Sequence, residues 1–338
     1  MQTAATQLAI VVPCFNEEDA LRVTCAKITA LLGRLLDQNK ISDASRLYFV
    51  DDGSGDRTWS IVDEFVQNGL PVIGIKLSAN RGHQNALLAG LLYAKGDAIV
   101  SIDADLQDDV GAIEAMVDRF HAGWDVVYGV RKNRGSDGFF KRFTAVCFYR
   151  LMTSLGARTI HNHADCRLMS RRAVEALREF RETALFLRGI VPLIGFRSTT
   201  VEYARLTRHA GKSKYSLRRM LVLAADGVTS FSVFPLRFIS LIGIGVFAGA
   251  MLVTLWALWV RLFTDKTVPG WTSVVLPMYF LGGVQLLALG VIGEYLGKIY
   301  VETKARPRFI IEDVIGDSSV KSSSLLDPVR AADSTRVP

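Results

Sequence analysis

The sequence predicts an α/β domain with a mostly parallel sheet, followed by basic amphipathic helices and a transmembrane hairpin of two helices. Over roughly the first 200 residues, short apolar runs bounded by turn residues alternate with amphipathic helical patterns. This alternation is typical of a parallel sheet covered by helices on both faces. Two long uncharged runs follow, each close to the ~20 residues that cross a bilayer. Acidic residues gather where the predicted strands end, and ligands of such sheets bind at the carboxyl ends of the strands.

The composition excludes several classes of protein. The chain has 338 residues, 50% of them hydrophobic, and its 40 Lys and Arg against 33 Asp and Glu give a net charge of +7. Such a chain is too apolar and too weakly charged to be disordered. Four cysteines without a CxxC pair indicate reduced thiols rather than a disulfide scaffold or a zinc site. No signal-peptide core opens the sequence, so we expect a cytosolic N-terminus. A nucleic-acid partner is not expected.

Five strands and four helices are predicted in the first domain, residues 1–204. The predicted strands are 8–12, 47–50, 72–77, 98–102 and 126–128. The predicted helices are 20–36, 58–66, 84–94 and 110–120. Neither GxGxxG nor GxxxxGK[ST] follows any of these strands, which argues against a dehydrogenase or a P-loop ATPase.

The two uncharged runs, 238–260 and 272–293, predict transmembrane spans within a hairpin segment, 236–297. Two buried core helices are the alternative, but the lengths of the runs and the tryptophans near their ends favour a membrane. Basic residues flank the outer ends of both runs, so the positive-inside rule places both termini in the cytoplasm. We therefore expect a multi-pass protein of the inner (cytoplasmic) membrane. Its C-terminal segment, 298–338, ends in a disordered tail.

The segment before the hairpin, 205–235, predicts basic amphipathic helices in the membrane interface. Leu217 and Leu221 recur at helical spacing, with Arg218 and Arg219 interleaved. Such helices place their apolar face in lipid and their basic residues towards anionic headgroups. The same basic residues also serve as ordinary topogenic charge next to a span, which is the alternative.

Polar segments follow the first two predicted strands. Pro13, Asn16 and Glu17 end or follow the first strand, and Asp51 and Asp52 end the second. Taken alone, the second segment is also typical of a turn that starts a helix, because Asp and Gly favour turns.

The densest polar segment follows the fourth strand, between Asp103 and Asp109. Alternate residues of an extended segment project to one side, so Asp103, Asp105 and Gln107 can present oxygen ligands together. Mg²⁺ and Mn²⁺ prefer oxygen ligands, usually completed by waters and substrate phosphates. The alternative is an acidic helix N-terminus, which fits Asp108 and Asp109 better than Asp103.

The order of these motifs resembles the family 2 glycosyltransferases, which have the Rossmann-like GT-A fold. The matching segments are Val11-Val12-Pro13 with Asn16-Glu17-Glu18, Val50-Asp51-Asp52-Gly53-Ser54 with Asp56, Asn80-Arg81-Gly82, and Asp103-x-Asp105-x-Gln107-Asp108. Three later segments narrow the resemblance, which covers about residues 8–312, to the polyprenyl-phosphate glycosyltransferases such as bactoprenol glucosyltransferases and dolichol-phosphate mannose synthases. They are Cys166-Arg167-Leu168-Met169-Ser170-Arg171, Phe186-Leu187-Arg188-Gly189 and Gly211-Lys212-Ser213-Lys214-Tyr215. Processive polysaccharide synthases carry a QxxRW element, and the sequence has no Arg-Trp pair.

The resemblance implies inverting transfer of one sugar from a nucleotide diphosphate sugar to a polyprenyl phosphate. Its cofactor would be Mg²⁺ or Mn²⁺, which neutralises charge on the leaving diphosphate. UDP-glucose and undecaprenyl phosphate are the first candidates, but galacturonate, aminoarabinose and mannose donors fit the same motifs. The alternative from another class is a non-enzymatic translocase or nucleotide-sensing scaffold. A translocase should carry polar groups inside its spans, which offer little beyond Thr254 and Gln285.

The resemblance also implies roles for individual residues. By analogy, Pro13, Asn16, Glu17, Asp51, Asp52 and Asp103 bind the nucleotide, and Asp105 and Gln107 bind the metal. The catalytic residues would be Asp103, Asp165 and Arg131. The acceptor phosphate would meet Arg131, Arg134, Arg208, Lys212 and Lys214. For Arg131 and Arg134 the alternative is a solvated surface arginine.

Asp165 matches the position of a catalytic base, but the chemistry weakens the need for one. A phosphate monoester has a second pKa near ~6, so the acceptor is already mostly deprotonated at neutral pH. Asp165 therefore either abstracts a proton or orients the acceptor and holds Arg167.

Small residues one turn apart predict self-association of the spans. Gly245-x-x-x-Gly249 and Gly293-x-x-x-Gly297 permit close contact between helices. Together with the resemblance, they predict a homo-oligomer, with a tetramer as the first candidate.

Overall fold

A computed structural model describes residues 5–105, 107–131, 163–180, 182, 186–203 and 271–317, together with 239, 241–246, 248, 249, 252, 255, 256, 259 and 263. The chain divides into two compact units. One consists of Met1–Tyr149, Arg158–Lys214 and Arg306–Pro338, and the other of Arg150–Ala157 and Tyr215–Ala305. The predicted amphipathic segment 205–235 and the predicted tail from 318 lie outside the described residues.

The described part of the first unit contains one eight-stranded sheet. Its strands are β1 (Leu8–Cys14), β2 (Arg46–Asp51), β3 (Val72–Leu77), β4 (Ala98–Ser101), β5 (Val126–Arg131), β6 (His163–Ser170), β7 (Ser198–Tyr203) and β8 (Ile311–Ile315). Their order in the sheet is β7-β5-β6-β4-β1-β2-β3-β8. β1 is parallel to β2 and β4, β2 to β3, and β5 to β7, whereas β6 and β8 run antiparallel to their neighbours. The prediction of a mostly parallel sheet is confirmed.

Seven helices are described in full. They are α1 (Leu21–Asp37), α2 (Thr58–Gln67), α3 (His83–Tyr93), α4 (Ala112–His121), α5 (Arg171–Leu177), α6 (Leu187–Leu193) and α7 (Trp271–Thr303). The four predicted helices correspond to α1 to α4, and the five predicted strands correspond to β1 to β5. The strands β6, β7 and β8 were not predicted.

Hydrophobic cores cover both faces of the sheet. In β1, Leu8, Ile10 and Val12 face the core built with α1, α2 and α4, while Ala9 and Val11 face the core built with α3, α5 and α6. All five are fully buried. A strand buried on both faces reads as a continuous apolar run. The double burial therefore explains why β1 was recognisable from the sequence.

The chain returns to the sheet after α7. β8 pairs antiparallel with β3, and Phe309 and Ile311 are buried there. Just beyond β8, the carboxylate of Asp317 accepts hydrogen bonds from Tyr93 Oη at 3.2 Å and from Lys95 Nζ at 2.8 Å. The predicted C-terminal segment 298–338 thus contributes an edge strand to the sheet of the first unit.

The helix α7 exposes apolar side chains. Met278 and Leu286 are 71% and 72% exposed, and nothing in the most apolar window of the helix is buried. In the described part of the chain, the stretch 280–303 is the single one long and apolar enough to cross a membrane. Between 239 and 263 the described residues are helical, a run at 241–246 and scattered positions, so no complete second helix is described. The predicted two-helix hairpin therefore stays a prediction.

Candidate active site

The predicted site residues come together at one edge of the sheet. β1, β2 and β4 are parallel neighbours, so their carboxyl ends meet, with Pro13 near the end of β1, Asp51 and Asp52 at the end of β2, and Asp103 just past β4. β6 is antiparallel to β4, with Ser101 opposite Arg167, which brings Asp165 to the same edge.

The loops that follow β1 and β2 are tied to each other by hydrogen bonds. The backbone N–H of Asn16 donates to Ser54 Oγ at 3.0 Å, and Asn16 Oδ1 accepts from the backbone N–H of Gly55 at 2.9 Å. The backbone N–H of Glu17 donates to Thr58 Oγ1 at 2.9 Å. Asn16 has a φ of 54°, a left-handed conformation that asparagine tolerates better than most residues. The residues predicted to bind the nucleotide therefore lie on a fixed pair of loops.

The adjacent aspartates Asp51 and Asp52 have different surroundings. Asp51 is fully buried and accepts from the backbone N–H of Ser54 at 3.2 Å; burial raises its pKa. Both oxygens of Asp52 accept backbone N–H groups, from Arg81 at 2.7 Å and from Gly82 at 2.9 Å. Asp52, predicted to bind the nucleotide, here supports the loop that leads into α3.

The first residue of α3, His83, completes a cluster that sequence reasoning missed. Its Nε2 lies 3.4 Å from Asp103 Oδ1 and 3.7 Å from Asp165 Oδ2. One ligand atom from each of the three residues lies within 4.8 Å of the others, so the trio is one candidate metal site. The motif Asn80-Arg81-Gly82 directly precedes His83, and that position was the signal available in the sequence.

Two arginines hold the carboxylate of Asp165. Arg188 Nε and Nη2 donate to Asp165 Oδ1 and Oδ2, both at 2.9 Å, and Arg167 Nη2 donates to Oδ1 at 3.2 Å. Arg167 is fully buried within β6, and Arg188 lies in the first turn of α6. Asp165 therefore contacts Arg167, as one of the two predicted roles requires, and it also contacts Arg188.

The two carboxylates of the cluster have opposite pKa shifts. The pKa of Asp103 is raised to about 6, mainly by burial and also by the charges of Asp165, Asp108 and Asp105, with His83 acting in the opposite direction. Burial also raises the pKa of Asp165. There, however, the contacts with His83, Arg188 and Arg167 outweigh burial and hold the pKa well below its usual range.

The predicted metal ligands Asp105 and Gln107 lie side by side. Gln107 Nε2 donates to Asp105 Oδ2 at 2.6 Å, and the backbone N–H of Gln107 donates to Asp105 Oδ1 at 3.2 Å. Nearby, Asp108 Oδ2 is buried and has no hydrogen-bond partner among the residues that the structure describes. Carboxylate and amide oxygens, such as those of Asp105 and Gln107, are ligands that a hard divalent cation prefers. The second candidate metal site is therefore this pair.

Arg131 is held at the end of β5. Its Nε and Nη2 donate to Asp108 Oδ1 at 2.9 and 2.7 Å, and Tyr203 Oη donates to the same oxygen at 2.7 Å. Asp108 is 1% exposed. Arg131 is therefore anchored to a buried carboxylate and is not a freely solvated surface arginine. Arg134, Arg208, Lys212 and Lys214 lie outside the described residues.

Comparisons with known proteins agree with these motifs. A model of the family described as Glycosyl transferase family 2 matches residues 9–178. The chain is 47% identical over 314 residues to the uncharacterized glycosyltransferase YkoT of Bacillus subtilis (strain 168), covering 92% of this chain and 93% of that protein. It is 38% identical over 307 residues to the bactoprenol glucosyl transferase of Shigella phage SfX, covering 90% of this chain and 99% of that protein.

Among solved structures, the likeness is limited. Glucosyl-3-phosphoglycerate synthase from Mycobacterium tuberculosis, in complex with Mn²⁺, UDP and glucosyl-3-phosphoglycerate, matches with a TM-score of 0.46 and 18% identity. The match covers 67% of this chain and 78% of that one. A likeness at this level adds nothing to the assignment.

Proposed function

Because this chain belongs to glycosyl transferase family 2, we propose that it transfers a single sugar, with inversion, from a nucleotide diphosphate sugar to a polyprenyl phosphate at the cytoplasmic membrane surface. One observation carries the proposal: the similarity to bactoprenol glucosyl transferases extends over 90% of the chain, well beyond the part matched by the family model. UDP-glucose is the proposed donor and undecaprenyl phosphate the proposed acceptor. The product would be a lipid-phosphate-linked sugar for modification of cell-envelope glycans.

The described residues can be given roles in this reaction. We propose that Pro13, Asn16, Glu17 and Asp51 line the nucleotide site, with Asp52 supporting the adjacent loop, and that Asp103 faces the sugar. Asp105 and Gln107 would hold Mg²⁺ or Mn²⁺, which when bound neutralises charge on the leaving diphosphate. Arg131, Arg134, Arg208, Lys212 and Lys214 would bind or guide the acceptor phosphate. The anchoring of Arg131 by Asp108 supports its role, because a fixed guanidinium loses less freedom on binding a phosphate.

Chain connectivity supports the membrane hairpin. The first compact unit ends at Lys214 and resumes at Arg306, and α7 lies between these two points. A chain that leaves a domain and returns to it must cross a membrane an even number of times. If α7 spans the bilayer, we therefore propose that a second crossing lies between Tyr215 and Trp271, where 238–260 is the uncharged run.

Self-association of the spans is part of the proposal. Gly245 and Gly249, like Gly293 and Gly297, have open space where a Cβ would be placed, so a second helix can approach closely. Native mass measurement in mild detergent and in lipid discs is expected to give a homo-oligomer, with a tetramer as the first candidate. A single-subunit mass under both conditions would contradict it.

Donor screening with purified full-length protein tests the reaction. Radiolabelled UDP-glucose, UDP-galacturonate, a UDP-aminoarabinose derivative and GDP-mannose would each be supplied with undecaprenyl phosphate and Mg²⁺. We expect one donor to give a labelled lipid that is absent from the reaction without acceptor. If no donor labels the lipid while the protein still binds UDP, the alternative of a nucleotide-sensing scaffold or translocase gains support.

A further inference from the structure

The carboxylate of Asp165 is held in one orientation by groups from three elements. Arg188 grips it with two parallel hydrogen bonds from α6, and Arg167 adds a third from within β6. On the remaining side, Oδ2 faces His83 Nε2 at the start of α3. An ionised carboxylate offers about four lone-pair positions. With N–H donors on both of its oxygens, Asp165 is badly placed to accept a proton from a substrate.

The position of Arg188 is itself fixed. The backbone N–H of Leu187 donates to Gln84 Oε1 at 3.1 Å, and the Leu187 carbonyl accepts from Arg167 Nη1 at 3.3 Å. Leu187 is fully buried. The first residue of α6 is thus attached to both α3 and β6, which directs the neighbouring Arg188 onto Asp165.

His83 connects Asp165 with Asp103. Its Nε2 lies 3.4 Å from Asp103 Oδ1 and 3.7 Å from Asp165 Oδ2, so an N–H on this nitrogen faces both carboxylates. Without such a donor, Asp103 would face the carboxylates of Asp105 and Asp165, which repel it. The imidazole is therefore the group that keeps Asp103 and Asp165 close together.

We propose that Arg188, Asp165 and His83 form a positioning relay in which Arg188 fixes Asp165, Asp165 fixes the imidazole, and the imidazole fixes Asp103 towards the donor sugar. The proposal rests on the proposed function only in naming a sugar as the group that Asp103 meets. It assigns Asp165 to orientation rather than to proton abstraction, and it makes His83 and Arg188 positioning residues. The relay therefore gives the cluster of His83, Asp103 and Asp165 a positioning role rather than a metal-binding one, and the proposed metal ligands remain Asp105 and Gln107.

Steady-state kinetics of the full-length protein test the relay, with the active donor of the screen and undecaprenyl phosphate as substrates. His83→Ala and Arg188→Ala are each expected to lower kcat/KM for the donor by about tenfold to a hundredfold, the loss typical of one charge-assisted hydrogen bond. Calorimetric binding of UDP, which lacks the sugar, and KM for the lipid are expected to stay within about threefold. His83→Gln should recover part of the loss because its amide retains an N–H donor. Arg188→Lys should recover little because lysine lacks the planar fork.

Arg172→Ala is a matched control. Arg172, in the first turn of α5, also donates to a buried carboxylate, that of Asp125, through Nε and Nη2. Asp125 precedes the start of β5 and Arg172 follows the end of β6, so this pair lies at the ends of the strands far from the site. Its kcat/KM should equal that of the wild type. The double variant His83→Ala/Arg188→Ala should lose no more than about the larger single loss, because members of one network are not additive. The relay would be overturned if the double variant lost kcat/KM by the product of the two single losses. It would also be overturned if Arg188→Ala kept the same kcat/KM as Arg172→Ala.

A spectroscopic measurement separates the relay from the reaction. In protein labelled with ¹⁵N-histidine, the ring signal of His83, assigned by its loss in His83→Gln, is expected to report an Nε2-protonated ring. Arg188→Ala should shift this signal and Arg172→Ala should not. If the wild type transfers no sugar but the signal responds in this way, the relay stands and the proposed reaction fails. A signal that ignores Arg188→Ala overturns the relay even if transfer is observed.

Discussion

Neighbouring side chains in the site do different work, and Asp51 and Asp52 are the clearest pair. Both carboxylate oxygens of Asp52 accept backbone N–H groups of the loop before α3. Asp51 accepts from the backbone N–H of Ser54 and is buried at the end of β2. A residue that contacts the nucleotide should affect nucleotide affinity directly. A residue that supports a loop should also affect stability.

We expect Asp51→Ala to weaken UDP binding by about tenfold to a hundredfold, since a charge-assisted contact contributes about 1.5 to 3 kcal/mol. Lys212→Ala and Lys214→Ala should instead raise KM for undecaprenyl phosphate and leave UDP affinity nearly unchanged. Calorimetric UDP binding next to lipid-dependent turnover measures both effects. The proposed acceptor path is wrong if the lysine variants lose UDP binding in proportion to turnover.

The proposed metal ligands give a second prediction at this scale. Asp105→Ala should nearly abolish transfer, because it removes a charged oxygen ligand from the Asp105 and Gln107 pair. Transfer by the wild type should stop in EDTA and return with Mg²⁺ or Mn²⁺. Asp63→Ala, at a half-buried position of α2 outside the core, provides a carboxylate control that should retain activity. Full wild-type activity in EDTA would contradict a metal-assisted reaction.

Single residues also show what the sequence could not reveal. The acidic residues at strand ends were predictable, because the strands before them are strongly apolar. His83 and Arg188 were given no role, and Asp108 was considered only for a helix N-terminus, because their partners come from distant parts of the chain. Arg188 meets Asp165 across 23 positions and Tyr203 meets Asp108 across 95. Such pairs depend on the packing of elements, which local patterns do not encode.

Among the elements, α3 packs closely against the sheet at one glycine. A Cβ on Gly90 would lie 2.6 Å from Val50 Cγ2 and would also collide with Val11 Cγ1. Both partners are β-branched and buried in central strands, so they cannot turn aside easily. The same glycine keeps α3, and with it His83, at its distance from the end of β4.

Two helical glycines therefore predict opposite effects on stability. Gly90→Ala should destabilise the protein by about 1–3 kcal/mol through overpacking. Gly33→Ala, on the exposed side of α1 with nothing within 4 Å of its Cβ, should stabilise it by up to ~1 kcal/mol. Thermal unfolding in detergent measures both. A stabilised Gly90→Ala variant would show that α3 can move away from the sheet.

The junction of β5 and β6 carries a pH-dependent contact. Hydrogen bonds from Arg172 lower the pKa of Asp125, against the opposing effect of burial and with help from Ser170. A lowered folded-state pKa stabilises the protein above the unfolded-state pKa of ~3.9 and ceases to do so as pH falls through the folded value. Asp125→Asn should therefore have a lower Tm than the wild type at pH 7 and pH 5. The difference should shrink below about pH 4, and a constant difference would contradict this assignment.

The elements differed in how well the sequence predicted them. The bounds of β1 to β5 and α1 to α4 agree with the predicted runs because these elements have a regular apolar pattern. β6 was missed because it contains Asp165 and the fully buried Arg167, whose burial depends on partners from α6. β8 was missed because its sequence, Ile-Glu-Asp-Val-Ile, has two acidic residues side by side and lies at the exposed edge of the sheet.

For the whole molecule, the main expectation concerns the path of the chain through the membrane. The loop between the two predicted spans should face the side opposite to the first unit. In a Cys147→Ser background, Thr267→Cys should react with a membrane-impermeant thiol reagent only from that opposite side. Asn68→Cys, exposed just after α2, should react only from the cytoplasmic side. The thiols of Cys14, Cys25 and Cys166 are buried and should not react with the reagent. Labelling of both positions from one side would contradict the hairpin.

The position of β8 also has a consequence for biosynthesis. During translation, β3 leaves the ribosome long before residues 311–315, and the edge that β8 covers stays open meanwhile. An open edge strand can pair with other chains and cause aggregation. The sheet can be completed only after the intervening apolar segment has been synthesised and has folded or inserted. If this segment enters the membrane as proposed, cells short of membrane-insertion capacity should accumulate a first unit with an uncovered edge strand, which chaperones and proteases recognise.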